Sequence, residues 1–273
     1  MSYTPEVDLE LVTASDPGVV RSHNEDSIVV SERLGLAILA DGMGGYNAGE
    51  VASGLATSLI ERDLDADLDT LNEIKGVDGA HIHQLLQARI GRANLAIFEA
   101  AQADVQLAGM GTTLVLGLFH GQRVTIAHIG DSRAYRWRDG FFEQLTRDHS
   151  LLQEQIEAGL LTADQARRSL NKNLVTRAVG VDPAVIADIH DYDTRIGDIF
   201  LFCSDGLTDM VTDDAIAEIL AASTRLDDAA QALVRLANEC GGRDNISVIL
   251  AGVRSGAARP SGLVSRMRNW LGQ

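Results

Sequence analysis

Three strand-like stretches of the chain run into an aspartate: LAILA leads to Asp41, VTIAHIG to Asp131 and IFLFC, through one serine, to Asp205. A strand end is a rigid mount, so a carboxylate placed there has a fixed aim. The first junction continues as Gly42-Met43-Gly44-Gly45, which strips side chains from the backbone beside the acid. One aspartate next to a glycine is ordinary turn chemistry. Three such junctions, together with Asn24-Glu25-Asp26 and Arg243-Asp244-Asn245, exceed what turns require. Carboxylates gathered at strand ends repel one another, so a convergent set calls for a cation. The donors are all oxygens, with no histidine or cysteine among them, which favours Mg²⁺ or Mn²⁺ over zinc. The glycines after Asp41 let the Gly42 carbonyl approach such an ion.

The surrounding pattern sets the fold class. Continuous apolar character predicts strands at 36–40, 199–203 and 246–253, and successive strands at 112–118, 123–129, 134–138 and 141–145. His120-Gly121 and Asp139-Gly140 mark tight hairpin turns between them. Helical periodicity appears at 48–64, 82–103, 151–158, 163–170, 215–221 and 228–238. Hairpins combined with separate helix pairs predict antiparallel sheets covered by helices, an α+β arrangement, rather than parallel βαβ units. Residues 1–254 read as one domain, and 255–273 as a tail carrying Arg259, Arg266 and Arg268 with no acidic residue.

Composition narrows the function. A net charge of -16 over 273 residues disfavours nucleic acid as a partner. No apolar run approaches the roughly 18 residues of a membrane span, and no signal peptide is visible, so a cytoplasmic location is expected. Cys203 and Cys240 stand far apart without a CxxC partner, which speaks against a disulfide or a zinc role. The run GMGGYN from Gly42 has Asn47 where a dinucleotide loop needs glycine. His81 and His83 read as solvated. Asp148-His149-Ser150 cannot form a triad by adjacency alone and marks the start of a flap-like segment.

The ordered set RSHNED, ADGMGG, GMGTTL, HIGDSRAY, SDGL and GGRDNISV resembles the metal-dependent protein phosphatases of the PP2C (PPM) family in their bacterial form, over roughly residues 10 to 253. The resemblance implies a four-layer α-β-β-α sandwich, two antiparallel sheets flanked by helix pairs, with a binuclear Mn²⁺ or Mg²⁺ site at one end. It implies that Asp41 bridges both ions, that Gly42 binds one through its carbonyl, and that Asp205 and Asp244 complete the other. Glu25 and Asp26 would hold the site directly or through waters, Asp131 would take a third, weaker ion with Asp205, and Arg21 would grip the substrate phosphate. A water bridging two cations loses its proton near neutral pH and attacks phosphorus in line. The implied activity is hydrolysis of phosphoserine and phosphothreonine in proteins by a monomer, opposing a bacterial Ser/Thr kinase acting on the same substrates. A catalytically silent phosphoprotein-binding regulator and a hydrolase of small phosphate esters are the alternatives. Met43 and Tyr46 stand where relatives carry histidine, so the general acid is either a metal-bound water or the Tyr46 hydroxyl, and the water is the better match because an unperturbed tyrosine pKa of about 10 is far from neutral pH.

Overall fold

The computed structural model describes residues 8–45, 47–67, 79–162, 165 and 174–254. Tyr46, the tail from 255 and, apart from Gln165, the helix expected at 163–170 lie outside the described residues. Two antiparallel sheets form the centre. The first has the order β1 (Asp8–Asp16), β11 (Ile246–Arg254), β10 (Ile199–Cys203), β7 (Arg133–Arg138), β8 (Phe141–Gln144). The second has the order β2 (Asp26–Ser31), β3 (Leu36–Met43), β5 (Leu114–His120), β6 (Arg123–Ile129), β9 (Asp188–Asp193), with the short β4 (Gly111–Thr112) against the end of β3.

Helices α1 (Ala48–Ala66) and α2 (Gly79–Ala103) cover the outer face of the second sheet. Helices α5 (Asp213–Ala222) and α6 (Leu226–Glu239) cover the first. Two shorter helices, α3 (Leu151–Glu157) and α4 (Asp205–Thr208), lie outside these pairs. The expected α-β-β-α layering is therefore present.

Burial on both faces explains why the strands read as continuous apolar runs. In β5, Leu114, Leu116 and Leu118 face the helices, while Val115 and Phe119 enter the core between the sheets. In β10, Leu201 and Cys203 point outward to α5 and α6, and Phe200 and Phe202 point inward. The β7–β8 hairpin turns at Asp139 and Gly140, with φ of 51° and 85°, the left-handed pair that a two-residue hairpin needs.

Two expectations needed correction. The strand expected over 112–118 is broken at Thr113, whose backbone leaves the ladder to hold Asp41: the Thr113 N–H donates to the Asp41 carbonyl at 2.8 Å. Its hydroxyl accepts the Asp41 N–H at 3.0 Å. Strands β1, β2 and β9, to which the sequence pattern assigned nothing, are all sheet edges.

Gly117 in β5 packs against Phe202 of the opposite sheet with no room for a side chain. A Cβ there would overlap the Phe202 ring, lying 2.9 Å from Cε1 and closer still to Cζ. Gly117→Ala should cost about 1–3 kcal/mol of stability, the usual range for overpacking, seen as a lower urea midpoint at unchanged slope. An unchanged or higher midpoint would show that the ring yields freely.

Candidate active site

Antiparallel pairing places alternate strand starts and strand ends at the same end of the sandwich, and that end carries the acids. In the second sheet Asp26 opens β2 directly opposite Asp41 in β3, and Asp131 follows β6. In the first sheet Asp205 follows β10 at the start of α4, and Asp244 precedes β11. The structure brings together the five aspartates that the sequence singled out.

Their electrostatics are those of a set built for a cation. Burial, then repulsion from Asp26, Asp205, Asp131 and Asp244, raises the Asp41 carboxyl well above the ordinary range. Burial, then Asp131, Asp209, Asp244 and Asp26, does the same to Asp205. Asp26 and Asp131 are each pushed up to about 6, burial again being the main cause. One oxygen of Asp26 accepts the Ser204 hydroxyl at 2.9 Å. The other, Oδ1, is buried with no hydrogen-bond partner among the described residues. An orphaned carboxylate oxygen inside an all-oxygen, mutually repelling group fits a hard divalent ion.

The remaining predicted residues frame this group. Arg21, about half exposed at 52%, donates from Nη2 to Asp244 Oδ2 at 2.7 Å. The side chain is thus tied to the acids on one hand and about half open to solvent on the other, where an oxyanion can reach it. Glu25 stands at the rim beside Arg21, Asp244 and Glu50, and burial raises its carboxyl. Gly42 has no room for a side chain, since a Cβ would run into the carbonyl oxygens of Gly49 and Glu25. Met43 pairs with Gly111 across β3 and β4 and has no proton to give.

Several residues that the sequence left without a role hold this arrangement. Asn245 accepts the Glu25 N–H at 2.8 Å. It also donates to the carbonyls of Pro17 at 3.0 Å and His23 at 2.8 Å, fixing the loop that carries Arg21. Thr112 reinforces Thr113 by donating its hydroxyl to the Asp41 carbonyl at 2.8 Å. Asp209 adds to the repulsion on Asp131 and Asp205. Arg133 of the GDSR stretch grips Asp148, with Nε at 2.9 Å from Oδ1 and Nη2 at 2.7 Å from Oδ2. The one sequence signal for them was position, inside or next to the quoted motifs.

Comparison with known proteins agrees with this geometry. The family model described as "Protein phosphatase 2C" matches residues 20–244, and the chain belongs to that family. It is similar to the serine/threonine phosphatase stp of Listeria innocua, 38% identical over 239 residues, covering 86% of this chain and 92% of that protein. The structure of the S. agalactiae serine/threonine phosphatase matches with a TM-score of 0.83 at 36% identity, over 90% of this chain and 100% of that one. The catalytic domain of the phosphatase PstP in complex with two manganese ions matches with a TM-score of 0.79 at 36% identity, over 91% and 99% of the two chains.

The raised carboxyls give a pH signature in the absence of metal. Asp26 and Asp131 move from 3.8 to about 6 on folding, so between those values the folded chain holds protons that the unfolded chain has released. Stability is then lost as pH rises through about 6. Chelated protein should melt at a higher temperature at pH 5 than at pH 7, and added Mn²⁺ should raise the melting temperature more at pH 7. Equal Mn²⁺ shifts at both pH values would contradict the clustering of these acids.

Proposed function

We propose that the chain hydrolyses phosphoserine and phosphothreonine in proteins, using two Mn²⁺ or Mg²⁺ ions and, at Asp131, a third. The observation that carries the reading is the convergence of Asp26, Asp41, Asp131, Asp205 and Asp244 beneath the half-exposed guanidinium of Arg21, in a chain of the protein phosphatase 2C family. Asp41, Asp205, Asp244 and the Gly42 carbonyl would hold the principal ions, with Glu25 and Asp26 supporting them. When bound, the ions supply Lewis acidity, lowering the pKa of water and offsetting negative charge.

The chain's own part is positioning and charge. Arg21 binds the phosphoryl oxygens through a planar fork suited to that geometry, and Asp244 aims the fork. Asn245 keeps the Arg21 loop against β11. The threonines of β4–β5 lock the backbone of Asp41, so its carboxylate has little freedom to follow charge as it shifts. A thioether at Met43 cannot protonate the leaving alkoxide, and a water in the site suits that role better than the Tyr46 hydroxyl, whose ordinary pKa of about 10 is far from neutral pH.

The substrates fit a partner Ser/Thr kinase and its targets, the chain working as a cytoplasmic monomer. In support, no helix among the described residues is long and apolar enough to cross a membrane, and Cys203 and Cys240 are free thiols. The tail from 255 is proposed to lie outside the catalytic domain, so removing residues 256–273 should leave phosphopeptide hydrolysis intact.

Phosphate release from phosphothreonine peptides tests the reading. Chelated protein should be inactive and recover with Mn²⁺ or Mg²⁺, whereas full activity in excess EDTA would end the metal hypothesis. Asp205→Asn should remove most turnover even at high Mn²⁺. Arg21→Ala should raise KM about tenfold or more, the loss expected for a charge-assisted contact of about 1.5–3 kcal/mol. Wild-type turnover in Asp205→Asn would show that the ligands are misassigned.

A further inference from the structure

Behind the aspartates lies a second group of side chains, His128, His149 and Asp188, close enough together to share an ion. Their hydrogen bonds point to another role. The Gly130 N–H donates to His149 Nδ1 at 3.1 Å, which leaves the ring proton on Nε2, 3.2 Å from Asp188 Oδ2. His128 Nε2 donates to the Arg147 carbonyl at 2.7 Å and its ring stacks on His149 with centroids 4.7 Å apart. The other oxygen of Asp188 accepts from Arg177 at 2.9 Å. An ion here would have to displace the proton from His149 Nε2 or the Gly130 N–H from Nδ1, and it would sit beside the Arg177 guanidinium. The group is a strut.

The strut ends on the residue before Asp131. His149 holds Gly130 on both sides: the ring accepts the Gly130 N–H, and the His149 N–H donates to the Gly130 carbonyl at 2.9 Å. Gly130 has φ of 103°, a region that L side chains rarely adopt, and Thr113 atoms 2.8 Å from where its Cβ would be leave no room for one. The direction of Asp131 is therefore set by how Gly130 is held. On its other edge His149 binds the chain that follows: Thr176 N–H donates to its carbonyl at 2.8 Å, and Leu151 N–H to the Leu174 carbonyl at 2.9 Å. Ser150 bridges Val175 and caps α3 by accepting the Gln153 N–H at 3.2 Å. The chain leaves at Leu151 and returns at Leu174, the two paired just beyond the His149–Thr176 contact.

We propose that His149 is a positioning residue: its ring and its backbone N–H hold Gly130, and through it the Asp131 carboxylate, while its backbone carbonyl fastens the base of the 151–174 segment, so that cation affinity at Asp131 depends on it. This rests on the reading of Asp131 as a cation ligand.

Three substitutions separate its contacts. In His149→Asn the side-chain oxygen takes the place of Nδ1 and can still accept from Gly130, but cannot reach Asp188. In His149→Gln the amide reaches Asp188 and abandons Gly130. His149→Phe keeps the volume and the stacking and loses both bonds. Two readouts apply: hydrogen exchange of the Gly130 amide in metal-free protein, and the Mn²⁺ concentration for half-maximal phosphopeptide hydrolysis. The Gln and Phe variants should exchange faster at Gly130 and need about 10- to 100-fold more Mn²⁺, as for other lost supports of metal ligands, while Asn stays within about threefold. Wild-type Mn²⁺ demand in the Phe and Gln variants would overturn the proposal. So would an Asn variant as impaired as Phe, which would mark a general packing defect. Asp131→Asn is the control: if it leaves the Mn²⁺ demand unchanged, the ligand reading of Asp131 fails by itself, and the clamp stands or falls on Gly130 exchange.

Discussion

Mutual repulsion among carboxylates at one end of the sandwich is the constraint on which the rest of this structure depends. Five aspartates held close together oppose folding unless something pins each of them and something neutralises them. Pinning is done by the sheets: Asp26 opens β2, the other four acids lie within two residues of an end of β3, β6, β10 or β11, and those four strands are buried between helices and a central core. Neighbours with little freedom of their own add to it. Thr112 and Thr113 hold Asp41, Ser204 holds Asp26, and Asn245 ties the start of β2 to the start of β11. Only after the acids are fixed can a cation find a preformed set of ligands.

Arg21 shows how charge is balanced without closing the site. Its bond to Asp244 offsets one carboxylate, yet an ion pair this exposed contributes only about 0–1 kcal/mol to stability. The guanidinium is thus held in place by a contact weak enough to share with an incoming phosphoryl group. A deeply buried pair would have fixed the arginine more firmly and lost it to substrate.

What the sequence made legible follows the same logic. Central strands such as β3, β5 and β10 are covered on both sides, so their residues form nearly unbroken apolar runs. Edge strands carry less of that signal: β9 reads DIHDYD and β1 reads DLELVTASD, and neither these nor β2 has a long apolar run to mark it. The fourth edge, β8, was visible because Asp139-Gly140 announces its hairpin, not because its own residues do. At the site, the aspartates were legible because a carboxylate after an apolar strand has no packing reason to be there. Asn245, Thr113 and His149 were not, because a hydrogen bond between residues far apart in sequence leaves no local pattern. His149 sits 19 positions from Gly130, and nothing in Asp148-His149-Ser150 indicates which backbone it will meet.

The pinned base of the 151–174 segment has a consequence for how this family can vary. Once His149–Leu151 and Leu174–Thr176 are fastened together, the chain between them closes a ring whose entropic cost grows only with the logarithm of its length. Doubling that length costs about 0.6 kcal/mol. Changes of length between the two fastened ends therefore cost little, as long as the fastening itself is kept. The aspartates are thus open to changes at the fastened base, through His149, far more than to changes in the length of the chain between its ends, so that length can drift while the chemistry stays fixed.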